Sequence, residues 1–225
     1  MVTLVFSEAD RDRVSAAIAA AEARSDGEIL AIATEVSDSY HDVGLHYAVG
    51  VMFLAMAVIA AWPAYLHWWV ERLSGGWTEP SERALFTIVL GVLLAKFLGT
   101  LFLMKWRPLR LALTPGATKE RRVRRRAVAL FKAAAQKRTI GRTGVLIYLS
   151  AGERRAEIIG DEAVTKVADG DCWAEAMAVL LAEVRAGRPG DGLVGAIERV
   201  GGVLASHFPK TATDSNEIPD KLIEL

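Results

Sequence analysis

Four acidic residues have the type and placement to bind a ligand: Asp38, Asp161, Asp169 and Asp171. Asp38 and Asp161 each follow a strand-like run, and Asp169 and Asp171 flank Gly170 ahead of a helical pattern. Carboxylates just outside strand ends of an α/β sheet can supply the several oxygens that Ca²⁺ or Mg²⁺ requires, so these four form the candidate divalent-metal set. The same residues also serve as ordinary helix caps and turn formers. A second group is basic. Arg121, Arg122, Arg124, Arg125 and Arg126 crowd six positions, a pattern that holds anionic lipid or a protein partner at up to about 1 kcal/mol per base near a membrane surface. The third is Lys96, the one charge inside a long apolar run. A lysine at the centre of a span costs roughly 2.5–3.5 kcal/mol on insertion scales, so it either snorkels to the headgroups or meets an acidic or carbonyl partner on another membrane chain.

Other chemistries have no footing. The chain contains no phosphate-binding G-x-x-x-x-G-K-[ST], no H-E-x-x-H, no G-x-S-x-G and no C-x-x-C. His41, His46, His67 and His207 are scattered, and Cys172 is the single cysteine. One cysteine excludes an intramolecular disulfide, and at the start of a helix next to Trp173 it reads as a partly buried, inert thiol. Arg142 and Thr143 offer an anion contact or a solvated loop. No residue is assigned a catalytic role.

The elements that must position these groups are of two kinds. The 225 residues balance 27 Lys plus Arg against 27 Asp plus Glu, yet the mean hydropathy of +0.25 is high for a soluble domain. The neutrality conceals blocks: residues 1–42 carry nine acids and three bases, 43–104 three of each, 105–142 one acid and thirteen bases, and 143–225 fourteen acids and eight bases. From 43 to 70 there is no Asp, Glu, Lys or Arg, more than the roughly 20 residues a helix needs to cross a bilayer. Trp62, Tyr65, Trp68 and Trp69 read as an interfacial belt at its far end, with Pro63 as a kink. A second run, 84–104, is interrupted only by Lys96, and Ser74-Gly75-Gly76 with Pro80 marks a turn between them. Spans at about 45–69 and 84–104 therefore form a transmembrane hairpin within 43–105. Gly91, Ala95 and Gly99 make a small-residue stripe, matched by Ala57 with Ala61 and Ala60 with Ala64, which is expected to pack the two spans on each other. The bases clustered after Met104 place that side in the cytoplasm, so both termini are expected inside, at a bacterial inner membrane.

The flanking blocks read as one α/β domain in two pieces. Residues 1–42 open with a helix capped at Ser7, about 17 residues long, then a strand over Glu28–Val36. Residues 106–209 supply a basic crossover helix with Val123, Ala127, Leu130, Phe131 and Ala134 on one face, strands over Gly144–Leu149 and Arg154–Gly160, the latter antiparallel, and two amphipathic helices through Trp173–Val184 and Leu193–Leu204. Near-continuous apolar strands imply cover on both faces. Residues 210–225 are a polar, extended tail.

The stretches RTGVLIYLS (142–150), AEIIGDEAV (156–164), GLVGAIERVG (192–201), HFP (207–209) and NEIPD (216–220), with Trp173 and GEILAIATEVS (27–37), resemble the TPM domain in its bacterial membrane-protein branch. The resemblance implies a three-layer α/β/α sandwich, here split by the inserted two-helix transmembrane hairpin. The family includes a thylakoid-lumen protein of photosystem II repair described as an acid phosphatase with a Ca²⁺-binding domain, and a receptor-associated membrane protein in animals. The expected function is a non-catalytic accessory, assembly or stabilising factor of a larger membrane complex, with membrane lipids and other membrane subunits as partners and no nucleic acid. The alternatives are a Ca²⁺- or Mg²⁺-dependent phosphatase at the membrane surface, using Asp161 with Asp38 or Asp171, and an anionic-lipid-binding module.

Overall fold

A computed structural model describes residues 6–74, 81–135, 143–168, 170–211 and 220–225. The fold is α/β, with helices around a mixed four-stranded sheet. The chain divides into two compact units, the first made of residues 1–38 and 116–225 and the second of residues 39–115.

In the first unit, α1 (Glu8–Glu22) starts where the Ser7 side chain accepts from the Asp10 amide while Asp10 accepts from the Ser7 amide, a reciprocal cap that satisfies two otherwise orphaned donors. The strands are β1 (Ile29–Thr34), β2 (Val145–Ser150), β3 (Arg155–Gly160) and β4 (Ile223–Glu224), in the order β3-β2-β1-β4. β1 runs parallel to β2 with Ile29 opposite Val145 and Thr34 opposite Ser150, and β3 runs antiparallel to β2 with Gly160 opposite Val145. Strand residues alternate between faces, and here both faces are covered, so β1 and β2 are apolar at nearly every position and buried throughout. Ile29, Ala31, Val145, Ile147 and Leu149 pack with Val14 and Ile18 of α1, Leu180 of α8 (Gly170–Arg185) and Leu193, Ile197 and Leu204 of α9 (Pro189–His207). Leu30, Ile32, Leu146 and Tyr148 pack on the other face against Val123, Ala127 and Phe131 of α6 (Gly116–Ala135). The apolar stripe expected on the basic helix is thus the stripe that covers the sheet. A short helix, α7 (Glu162–Val167), follows β3.

Helix α9 approaches its neighbours closely because it carries glycine at the contacts. A Cβ on Gly201 would lie 2.6 Å from the Ala21 Cβ of α1, and one on Gly192 would lie 2.9 Å from the Leu180 carbonyl oxygen of α8. The tail is extended as expected where it is described, but its end also adds β4 beside β1, with Ile223 opposite Ile32.

The second unit is helical: α2 (His41–Ala61), α3 (Pro63–Ser74), α4 (Glu82–Leu103) and α5 (Arg107–Leu113). The first apolar run is not one helix. It stops at Ala61 and restarts at Pro63, because a proline has no N–H for the ladder and its ring opposes the preceding turn. Helices α2 and α4 are each long and apolar enough to cross a membrane, and their large side chains are turned outward, with Phe53 65%, Phe86 73% and Phe102 71% exposed. The turn residues 75–80 lie outside the described residues. The small-residue stripe does not do what its spacing predicts. Gly91, Ala95 and Gly99 are exposed, and a Cβ at Gly91 or Gly99 would meet nothing within 4 Å. Leu93 of α4 is buried, and Gly44 of α2 lets the Met104 side chain, just past α4, approach to 3.1 Å of where its Cβ would stand. After α4, the buried Arg110 guanidinium donates to the Met104 carbonyl at 3.3 Å and lies 3.3 Å from His41 Nδ1, and the Tyr47 hydroxyl donates to the Leu113 carbonyl at 2.9 Å.

Candidate functional site at the carboxyl edge of the parallel strands

The carboxyl ends of β1 and β2 lie side by side, and the backbone pairing runs past them, with the Ala151 amide donating to the Thr34 carbonyl and Gly152 to Glu35. This holds two turns, Glu35–Asp38 and Ala151–Arg154, against each other. Glu153 is 5% exposed; its Oε1 accepts from the Ser37 amide at 2.8 Å and its Oε2 from the Ser150 hydroxyl. The Ser37 hydroxyl lies 2.9 Å from the Tyr148 hydroxyl, and burial of that phenol raises its pKa above the ordinary value. Next to this network Asp38 accepts from Arg122 Nη1 at 2.9 Å, with Arg125 Nη2 at 3.6 Å.

The cluster has a buried half and an open half. Ser150 and Tyr148 have no solvent exposure, so their hydroxyls brace the two turns and are not placed to attack a substrate. The open half is the rim of α6, where Arg121, Arg124, Arg125 and Arg126 are exposed. Guanidinium N–H forks bind carboxylate or phosphate. Arg122 is the most committed of the five, only 16% exposed at its side chain. Arg124 lies close enough to Glu157 of β3 to oppose the burial that raises the Glu157 pKa, and Arg126 similarly favours ionisation of Tyr148.

The predicted metal carboxylates are not brought together. Because β3 is antiparallel, Asp161 at its end stands beside Gly144 at the amino end of β2, where Oδ2 accepts from the Gly144 amide at 3.3 Å. Asp38 is at the other end of the sheet, about 17 Å away along a six-residue strand. Asp171 lies in the first turn of α8, where a carboxylate complements the helix dipole, and Asp169 lies outside the described residues, as does Arg142. Among the described residues no group of three or more His, Cys, Asp or Glu side chains could hold a metal ion. Cys172 is half-buried. Lys96 is exposed on α4, beside an apolar groove within the helical unit.

A further set of titratable groups sits at the amino edge of β1. Glu22 is 6% exposed; its Oε1 accepts from the Ile29 amide at 2.7 Å, and the Asp220 carboxyl lies against it. Burial first, with the neighbouring Glu28 and Asp220 carboxylates adding to it, raises the Glu22 pKa to about 8. Residue type alone did not single out Glu22, Ser37, Tyr148 or Glu153. Only the Ser150-x-x-Glu153 spacing, which is that of a capping box, carried a signal.

No family model matches the chain, and no curated protein matches it. Among solved structures it is similar to the NMR structure of the BA42 protein from the psychrophilic bacterium Bizionia argentinensis, with a TM-score of 0.57, 17% identity and 100% of each chain covered. At that identity the likeness is one of fold.

Proposed function

We infer that this chain is an integral protein of a bacterial inner membrane that serves as a non-catalytic accessory, assembly or stabilising factor of a larger membrane complex. In this reading α2 and α4 cross the bilayer as a hairpin inserted into a TPM-like α/β/α sandwich, and both termini are cytoplasmic, a topology that the bases following Met104 favour. The observation that carries it is the open face of α4. Gly91, Ala95 and Gly99 are exposed, and a Cβ on either glycine would meet none of the described residues within 4 Å; in lipid such a surface admits close approach of another helix backbone. Outward-turned Phe53, Phe86 and Phe102 suit hydrocarbon better than water. The test is native-state sizing of the intact protein extracted in mild detergent. A complex larger than the protomer that is lost on G91L/G99L is expected; a free monomer under all mild conditions contradicts the reading.

A second reading, an anionic-lipid-binding module, is favoured by the exposed arginines on α6. It requires vesicle binding that rises with anionic lipid and falls with salt. The metal-dependent phosphatase has less behind it, since Asp38 and Asp161 stand at opposite ends of the sheet. Its test is hydrolysis of a generic phosphate ester with Ca²⁺ or Mg²⁺, abolished by Asp161→Asn.

A further inference from the structure

Helices α2, α3 and α4 enclose an apolar groove of about 510 Å³. Its walls are Val58 and Ile59 of α2, Tyr65 and Trp69 of α3 and Val92 of α4, and the one charged residue lining it is Lys96. Concave sites of this size, mostly apolar with a single placed polar group, are the usual form of small-molecule sites.

The chemistry of the walls narrows the occupant. A second copy of this chain has no carboxylate in these segments to offer Lys96, because residues 43–70 and 84–104 contain no Asp or Glu. Ile88 and Lys96, the outermost of the α4 residues lining the groove, are eight residues apart, about 12 Å along the helix axis. That is two turns, short for a docked helix but suited to a chain lying past Val92 toward Tyr65 and Trp69. The charge to be matched is a single positive one at one end, and the remaining lining is hydrocarbon or aromatic. An anionic head on an unbranched apolar tail is complementary to both features. We propose that the groove is a binding site for a long-chain acyl carboxylate, with its head on the Lys96 ammonium and its chain along the α2–α3 wall.

Oleate is the probe, with oleyl alcohol as the uncharged match of the same chain, titrated into the full-length protein in an uncharged detergent. Saturable binding of one oleate per protomer, at least tenfold tighter than the alcohol, is expected. Lys96→Gln should erase that preference while leaving alcohol binding unchanged, and a brominated chain should quench tryptophan fluorescence less in Trp69→Phe. Equal affinity for acid and alcohol, a preference that survives Lys96→Gln, or non-saturable partition would overturn the proposal. So would full displacement of oleate by phosphatidylglycerol at equal concentration, which would assign the groove to phospholipid, or binding of a carboxylate-bearing transmembrane peptide where oleate fails to bind. Lys96→Arg, which keeps the charge and the fold, should retain the preference for the acid.

Discussion

The side chains with the largest consequences are carboxyls whose surroundings decide their charge. Glu22 takes its proton near pH 8 in the fold, against about 4.3 in an unstructured chain. Between those values the folded protein holds a proton that the unfolded chain has released, so the Glu22 contribution to stability is fullest below about pH 4.5, falls as pH rises through the window and levels off above about 8. Glu22→Gln keeps an oxygen for the Ile29 amide and removes the charge. Denaturant midpoints measured from pH 5 to 9 should decline in the native protein and flatten in the variant, which becomes the more stable of the two at pH 9. Parallel curves would contradict the buried, proton-holding carboxyl. Glu153 is also buried, and both of its oxygens are occupied by donors. Glu153→Ala strands the Ser37 amide and the Ser150 hydroxyl, and at about 1–3 kcal/mol for each group left unsatisfied it should cost about 2–6 kcal/mol in urea unfolding. A loss under about 0.5 kcal/mol would show that the two turns hold without it. Asp38 was legible as a carboxylate following a strand, but its pairing with Arg122 was not. A sequence shows that Asp161 follows a strand, while reversal of β3 carries it to the far edge.

At the scale of elements, the sequence displays what local physics determines and hides what tertiary contact decides. The strands β1 and β2 were legible because cover on both faces demands apolar residues in sequence, and α6, α8 and α9 because one-sided cover imposes the helical period. β4 has two residues and no pattern of its own; it exists through its pairing with β1. The glycines divide the same way. Those on α4 have the spacing of a packing stripe and face outward, whereas Gly201 and Gly192 of α9 are at the contacts. Gly201→Val should therefore destabilise by about 1–3 kcal/mol, because the added atoms meet α1. Gly202→Ala, one residue on with nothing within 4 Å, should be neutral or stabilise by up to about 1 kcal/mol through helix propensity. Equal effects at the two positions would contradict the close α1–α9 approach.

For the whole molecule, a net charge of zero disguised an architecture. The first unit has apolar cores on both sheet faces, and the second exposes its apolar residues; one composition averages the two. Helix length and hydropathy made α2 and α4 legible, and Pro63 was legible as a kink, but that this kink is a full break, and that the large side chains turn outward, came only with the fold. The central claim is that this second unit lies in a membrane with the first on the cytoplasmic side. It is tested most directly by labelling intact cells with a membrane-impermeant maleimide, in a Cys172→Ala background with one new cysteine at either Glu82 or Ser206, both exposed positions. The account predicts labelling of Glu82→Cys from outside and of Ser206→Cys only after permeabilisation; labelling of Ser206→Cys in intact cells, or extraction of the protein by alkaline carbonate without detergent, would contradict it.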